Sequence, residues 1–171
     1  MQLSKKLAAA CLLLAGAAMN TNAQPGTEKK IAPGVWFREG EPEMSHANNI
    51  IVEMKDYLVV VDANYPSGAR AVIADVRKIS AKPIKYVIDT HADPDHAYGN
   101  AVFTEFGAIT IGHVGMLSDI KDFEPQSWVR VARVRKDVAE LKLAAPEPPR
   151  QTYTESPYAI SDSTRRVELY N

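Results

Sequence analysis

The chain has 171 residues, enough for one domain and short for two. With 46% hydrophobic and 24% charged residues it is excluded from the disordered class and has material for a core. A formal net charge of −1 leaves no basic excess to hold nucleic acid, so no such partner is expected, and the charge says nothing about a substrate.

Lys5 and Lys6 precede an apolar run of Ala, Leu and Gly over residues 7–18, and Thr21, Asn22 and Ala23 follow as small residues suited to cleavage before Gln24. This is the three-part pattern of a secretory signal peptide over residues 1–23. The run is shorter than the ~20 residues of a membrane-spanning helix. The expectation is an exported protein, periplasmic or secreted, with no membrane attachment once the peptide is removed. The single cysteine, Cys11, falls inside the run, so the mature chain offers no thiol as nucleophile or ligand.

A polar leader over residues 24–30 comes next. Residues 34–38 read as a short aromatic strand, with Trp36 and Phe37 directed to the core. Residues 49–54 and 57–62 are β-branched runs separated by Lys55 and Asp56, the pattern of a hairpin. Ser67 reads as the N-cap of a helix to about Ile79, with Ala71, Val72, Ala74, Val76 and Ile79 as its apolar stripe. Residues 84–89 form the next strand, and a strand–helix–strand order predicts a right-handed parallel crossover. A polar loop over residues 90–99 leads to a short helical piece near 101–106 and a strand at 108–112. Ser127 reads as the cap of a second long helix to about Leu143, with Arg130, Arg133, Lys136 and Glu140 on its solvated face. Pro146, Pro148 and Pro149 end that helix, and residues 152–154 and 166–170 are further strands.

The loop that begins Asp89-Thr90-His91-Ala92-Asp93-Pro94-Asp95-His96 carries the chemistry. Carboxylates this close at a strand end repel one another unless a cation sits among them. In α/β sheets, ligand-binding groups gather beyond the C-terminal ends of the strands. Alternation in an extended loop puts His91, Asp93 and Asp95 on one side and His96 out of phase. Imidazole with carboxylate favours zinc, or manganese or iron, over calcium. The order Asp93-Pro94-Asp95 followed by Ala97 and Tyr98 does not make a calcium loop.

These residues resemble the His-x-His-x-Asp-His loop of the metallo-β-lactamase superfamily, with Thr90 before it and Ala97-Tyr98-Gly99-Asn100 after it. The order of the flanking elements is similar from about Ile31 to Asn171. The resemblance implies an αββα sandwich of the α/β class (α+β in some schemes). Residues 31–171 would form its N-terminal half, a mixed β-sheet with flanking helices. It implies that His91 binds a first Zn2+, that Asp95 and His96 bind a second, and that Asp95 also orients the attacking water. Asp93 stands where the superfamily has histidine. It retains ligand capacity, but its added negative charge weakens the metal as a Lewis acid. The superfamily's later ligands, a histidine, a bridging acid and a final histidine, have no counterpart after residues 166–170, so the expectation is a hydrolase truncated before its metal shell closes. Such a half would bind zinc weakly and self-associate through its exposed sheet.

Three residues are weighed further. Asp62 ends a strand at the same rim and either braces the metal loop or only opens the next helix. His113, after the 108–112 strand, is a remote partner of the site or a surface cap. His46 borders the mouth. The implied function is hydrolysis of a small-molecule substrate, β-lactam-like or a thioester or ester. The competing reading is an exported, non-catalytic module.

Overall fold

The computed structural model describes residues 28–171. The expected signal peptide and Cys11 lie outside these residues. Seven strands form one sheet in sequence order: β1 Glu28–Ala32, β2 Val35–Arg38, β3 Asn49–Glu53, β4 Leu58–Val61, β5 Ile84–Ile88, β6 Ile109–His113 and β7 Gln151–Tyr153. The first four pair antiparallel, and β4 to β7 run parallel. Helix α1, Pro66–Ile79, makes the crossover from β4 to β5, as the strand–helix–strand order predicts.

Both faces of the sheet are covered, which is why β4 reads as the unbroken apolar run Leu-Val-Val-Val. On one face Ile51, Val60 and Val87 pack under Ala69, Val72, Ile73 and Val76 of α1 and under Val102 and Phe103 of α3, Asn100–Glu105. On the other, Val52, Val59, Ile88 and Ile111 lie under Ile160, Val167 and Leu169 of a two-stranded hairpin, β8 Tyr158–Ser161 and β9 Arg166–Leu169. The face expected to stand bare therefore carries a hairpin. Its turn is hooked to the sheet: Lys55 N donates to Asp162 Oδ2 at 2.6 Å, and Arg165 donates to the carbonyls of Glu53 and Pro33 at 3.0 and 2.8 Å. The Asp162 carboxyl is held well below its ordinary range by the backbone N–H of Lys55, by the Thr164 hydroxyl, and by the backbone N–H groups of Thr164 and Arg165.

Several boundaries differ from the sequence reading, each for a tertiary reason. Part of the polar leader is β1, an edge strand whose exposed residues carry no apolar signal. Ser67 is not the cap of α1. Pro66 occupies the first turn, and the backbone N–H and hydroxyl of Ser67 both donate to Asp137 Oδ2, at 3.0 and 2.7 Å. The long helix expected from Ser127 is instead α5 Glu124–Ala132 and α6 Lys136–Ala139, preceded by α4 Met116–Asp122. The break falls at Arg135, whose backbone is extended while its guanidinium stacks 3.7 Å over Tyr65 and donates to Met44 O and to Asp137. Arg130, Arg133, Lys136 and Glu140 are exposed as expected, and Trp36 packs against the α1-side core. No described helix is long and apolar enough to cross a membrane.

Candidate metal centre

The donor-rich residues follow β4 and β5, two adjacent parallel strands, and so meet at one sheet edge. Asp62 leaves β4 with φ +70°, a left-handed backbone that aspartate adopts more readily than most residues. That turn aims its carboxylate at the following loop. Oδ1 accepts from Thr90 N at 3.0 Å and from Thr90 Oγ1 at 2.7 Å, and Oδ2 lies 3.0 Å from His96 Nδ1. Asn64, also left-handed at φ +65°, ties this turn to the neighbouring loop through Ala47 N, Ala47 O and Asn49 Oδ1. Asn49 in turn donates to the carbonyls of Val61 and Asp62.

The proton count along this chain of contacts sets the form of His91. Thr90 has one hydroxyl proton and gives it to the carboxylate of Asp62, which only accepts. Thr90 Oγ1, 2.9 Å from His91 Nδ1, therefore accepts from it. His91 carries a proton on Nδ1, which leaves Nε2 as the nitrogen turned toward Asp93. His96, with Nδ1 facing the Asp62 carboxylate, is biased the same way. The Nδ1–Oδ2 line departs from the ring N–H direction, so the contact is an electrostatic pairing rather than a formed hydrogen bond.

The two Nε2 atoms each face a carboxylate. His91 Nε2 is 3.5 Å from Asp93 Oδ2, His96 Nε2 is 3.3 Å from Asp95 Oδ2, and the two rings lie 4.0 Å apart. The edge of a zinc tetrahedron with ligands at 2.0–2.1 Å is about 3.3–3.4 Å, so both pairs have the separation of two ligands on one ion. Among the described residues no group of three or more such side chains converges as a metal shell. The extended-loop alternation expected for His91, Asp93 and Asp95 stops at Pro94, which opens the one-turn helix α2, Pro94–Ala97. Asp95 and His96 thus sit on a helical turn, and the pairing is 91 with 93 and 95 with 96. Gly99 lets the loop dock on the β4 exit: its N–H donates to Asn64 O at 2.6 Å, and a Cβ there would collide with the carbonyl oxygens of Ala63 and Asn64.

Asp89 sits beneath the loop at 2% exposure. Burial pushes its carboxyl well above the usual range, against the opposing hydrogen bond from Asn100 Nδ2 at 2.8 Å, and the nearby Asp62 charge adds to the upward shift. His113 accepts from Gly115 N at 3.1 Å and packs edge-on against Tyr153, which is the behaviour of a local cap. His46 lines an open cleft of about 530 Å³ with Glu39, Asp62, Asp95 and His96. Sequence reasoning missed Asn49, Asn64 and Asn100; the left-handed turn at Asp62-Ala63-Asn64 is the one place where residue type, Asp and Asn, hinted at them.

A family description, metallo-beta-lactamase superfamily, matches residues 44–158, more than half of the chain. The linear primary-alkylsulfatase of a Pseudomonas species is 37% identical over 65 residues, covering 37% of this chain and 12% of that protein. Among solved structures, a B3 metallo-beta-lactamase with an active-site glutamic acid is 16% identical with a TM-score of 0.60, over 84% of this chain and 50% of that one. The metallo-beta-lactamase from Pontibacter korlensis is 15% identical with a TM-score of 0.58, over 84% and 59%. This chain spans about half the length of the structures it matches. At these identities the structures show a shared fold, and the matched span carries the donor loop and both strands that hold it: the chain belongs to the metallo-beta-lactamase superfamily.

Proposed function

We propose that the chain carries the metal-binding loop of a zinc-dependent hydrolase. The observation that carries this reading is the pair of imidazole Nε2 atoms, each facing a carboxylate at a ligand–ligand separation. His91 and Asp93 would hold one ion, and Asp95 and His96 a second. Zinc suits this donor set best, with manganese or iron as alternatives. When bound, such an ion lowers the pKa of its water from about 15.7 to about 7 and polarises the bond to be cleaved. Asp62 fixes the two rings. Asp95, at the cleft, would orient the attacking water, and the cleft would admit a small-molecule substrate. A β-lactam, a thioester or an ester is the expected class, with an alkyl sulfate added by the likeness to the alkylsulfatase. Export to the periplasm or medium, and self-association across the hairpin face, belong to the same proposal.

The alternative is a non-catalytic exported module, favoured by the two-donor pairs: each ion would have two protein ligands where catalytic zinc has three. Calorimetry with zinc on the purified chain separates the readings, together with turnover of a chromogenic cephalosporin, a thioester and an alkyl sulfate. Zinc binding that falls at least tenfold in both His91→Ala and Asp95→Ala supports the donor loop. Binding unchanged by both substitutions overturns it. Turnover by zinc-loaded chain rules out the non-catalytic alternative. Sedimentation of a monomer at all concentrations would refute self-association.

A further inference from the structure

Asp62, Asp95 and His96 stand on one side of the open cleft of about 530 Å³, and Gly40, His46 and Ala47 stand on the other. Among the described residues, no hydrogen bond runs directly from residues 40–48 to the metal loop over residues 90–99. Both sides are bonded instead to Asn64, which is fully buried.

Asn64 uses separate groups for the two sides. Its backbone grips the metal loop: Asn64 N donates to His96 O at 3.2 Å, and Asn64 O accepts from Gly99 N at 2.6 Å. Its side chain grips the opposite wall. Oδ1 accepts from Ala47 N and Nδ2 donates to Ala47 O, both at 2.9 Å, and Nδ2 also donates to Asn49 Oδ1 at 3.0 Å. Both N–H donors of the amide are thereby used. The amide has no room to swing toward α1, because a Cβ on Gly68 would collide with its Oδ1 and Cγ. Gly40 moves with Ala47, since a Cβ on Gly40 would collide with the carbonyl oxygens of His46 and Ala47. The other ties of this wall, His46 to Ser67 and Met44 O to Arg135, do not run to the metal loop.

The backbone of Asn64 is left-handed, at φ +65°. For any residue with a Cβ this region is less favourable than the right-handed one, by a factor of about ten in population. It persists where the surroundings over-determine it. The three side-chain bonds supply that constraint. Once they break, relaxation of residue 64 carries its N–H off His96 and its C=O off Gly99.

We infer that Asn64 is a positioning residue that couples the cleft wall to the metal loop, through its left-handed backbone. Opening of the wall at Ala47 loosens the seat of His96, and an ion held by the loop closes the wall. Only the ion rests on the hydrolase reading; the mechanical link belongs to the fold.

Two substitutions in the full chain separate backbone from side chain. Asn64→Ala removes the amide and keeps the left-handed penalty. Asn64→Gly removes the amide and the penalty together. Amide exchange in EDTA is followed by NMR at Gly40, whose N–H donates to Asn48 Oδ1 in the wall, and at Gly99 in the loop. Gly40 should exchange faster in both variants. Gly99 should exchange about tenfold faster in Asn64→Ala and within threefold of the parent in Asn64→Gly. Asn64→Ser serves in place of Asn64→Ala if the latter does not fold. Zinc at about 100 times its dissociation constant should slow Ala47 exchange in the parent about tenfold or more. Zinc affinity should fall about tenfold in Asn64→Ala and stay within threefold in Asn64→Gly. Equal behaviour of the two variants at Gly99, or zinc binding that leaves Ala47 exchange unchanged in the parent, would overturn the inference. If the parent binds no zinc, the hydrolase reading loses its metal, and the comparison at Gly99 in EDTA decides the coupling by itself.

Discussion

Asp62→Asn tests how the two histidines are held. Asparagine is at ease in the left-handed backbone at position 62, so the turn itself survives. Thr90 presents two donors, its N–H and its hydroxyl, to Oδ1, so the amide must place its oxygen there and turn its NH2 toward His96 Nδ1. A donor at that position reverses the His96 tautomer: the proton moves to Nε2, the atom 3.3 Å from Asp95 Oδ2. Nε2, the atom that would hold an ion beside Asp95, then has no lone pair to offer. Substitutions of such supporting groups typically weaken metal binding by 10–100-fold, and that is the expected loss. Stability should fall less. Two hydrogen bonds to a charged acceptor become bonds to a neutral one, at about 1 kcal/mol each, so about 2 kcal/mol in all. Zinc calorimetry, urea unfolding and ¹⁵N shifts of the His96 ring measure the three effects on one sample. An Asp62→Asn chain that keeps zinc affinity within twofold, with His96 still protonated on Nδ1, would refute the reasoning.

Gly99→Ala should cost about 1–3 kcal/mol or more, because its Cβ meets the backbone oxygens of Ala63 and Asn64 and pushes the metal loop off the β4 exit; an unchanged urea midpoint would show that the close approach is dispensable. Asp75 accepts from the fully buried Arg38 at 2.8 Å and from Lys78 at 2.6 Å; burial alone would raise its carboxyl, but these partners outweigh it and hold it below its ordinary value. Its contribution is therefore full above about pH 4, the unfolded value, and is lost as pH falls through the lower folded value. Asp75→Asn should cost about 3–5 kcal/mol at pH 7 by stranding Arg38, and should flatten the acid limb of stability against pH, read by unfolding from pH 7 to 2. Intact mass of exported protein should place the first residue at Gln24, and a mass retaining Met1 would refute cleavage.

The parts legible in the sequence are those where local pattern and tertiary demand agree. The β-branched runs of β3 and β4 became a hairpin because both strands are covered; of the expected stripe, Val72 and Val76 sit on the sheet, whereas Ala74 is exposed and Ala69 and Ile73 complete the buried face. The loop at 89–96 was legible because five acidic and imidazole groups in one short stretch have few uses. What stayed hidden depended on distant partners. Ser67 has the residue type of a cap, but its hydroxyl serves Asp137, seventy residues away, and His46 instead of its own helix. The helix predicted to run on to Leu143 breaks at Arg135 because that side chain is engaged by Tyr65 and Met44. β1 was unreadable because an edge strand needs no apolar face, and the pairing of Asp95 with His96 was unreadable until Pro94 started a helical turn.

The hook at Asp162 and Arg165 has a consequence for how the molecule opens. Each strand of the large sheet pairs with the strand next in sequence, whereas the hairpin reaches back 107 residues to Lys55, 112 to Glu53 and 132 to Pro33. A unit fastened at its turn detaches as a whole: once those anchors let go, Ile160, Val167 and Leu169 lose their seat on Val52, Val59 and Ile88 together. Amide protons of β8 and β9 should therefore exchange with solvent deuterium as one cooperative group, well before those of β3 to β5. Severing the hook with Arg165→Ala should speed that group alone.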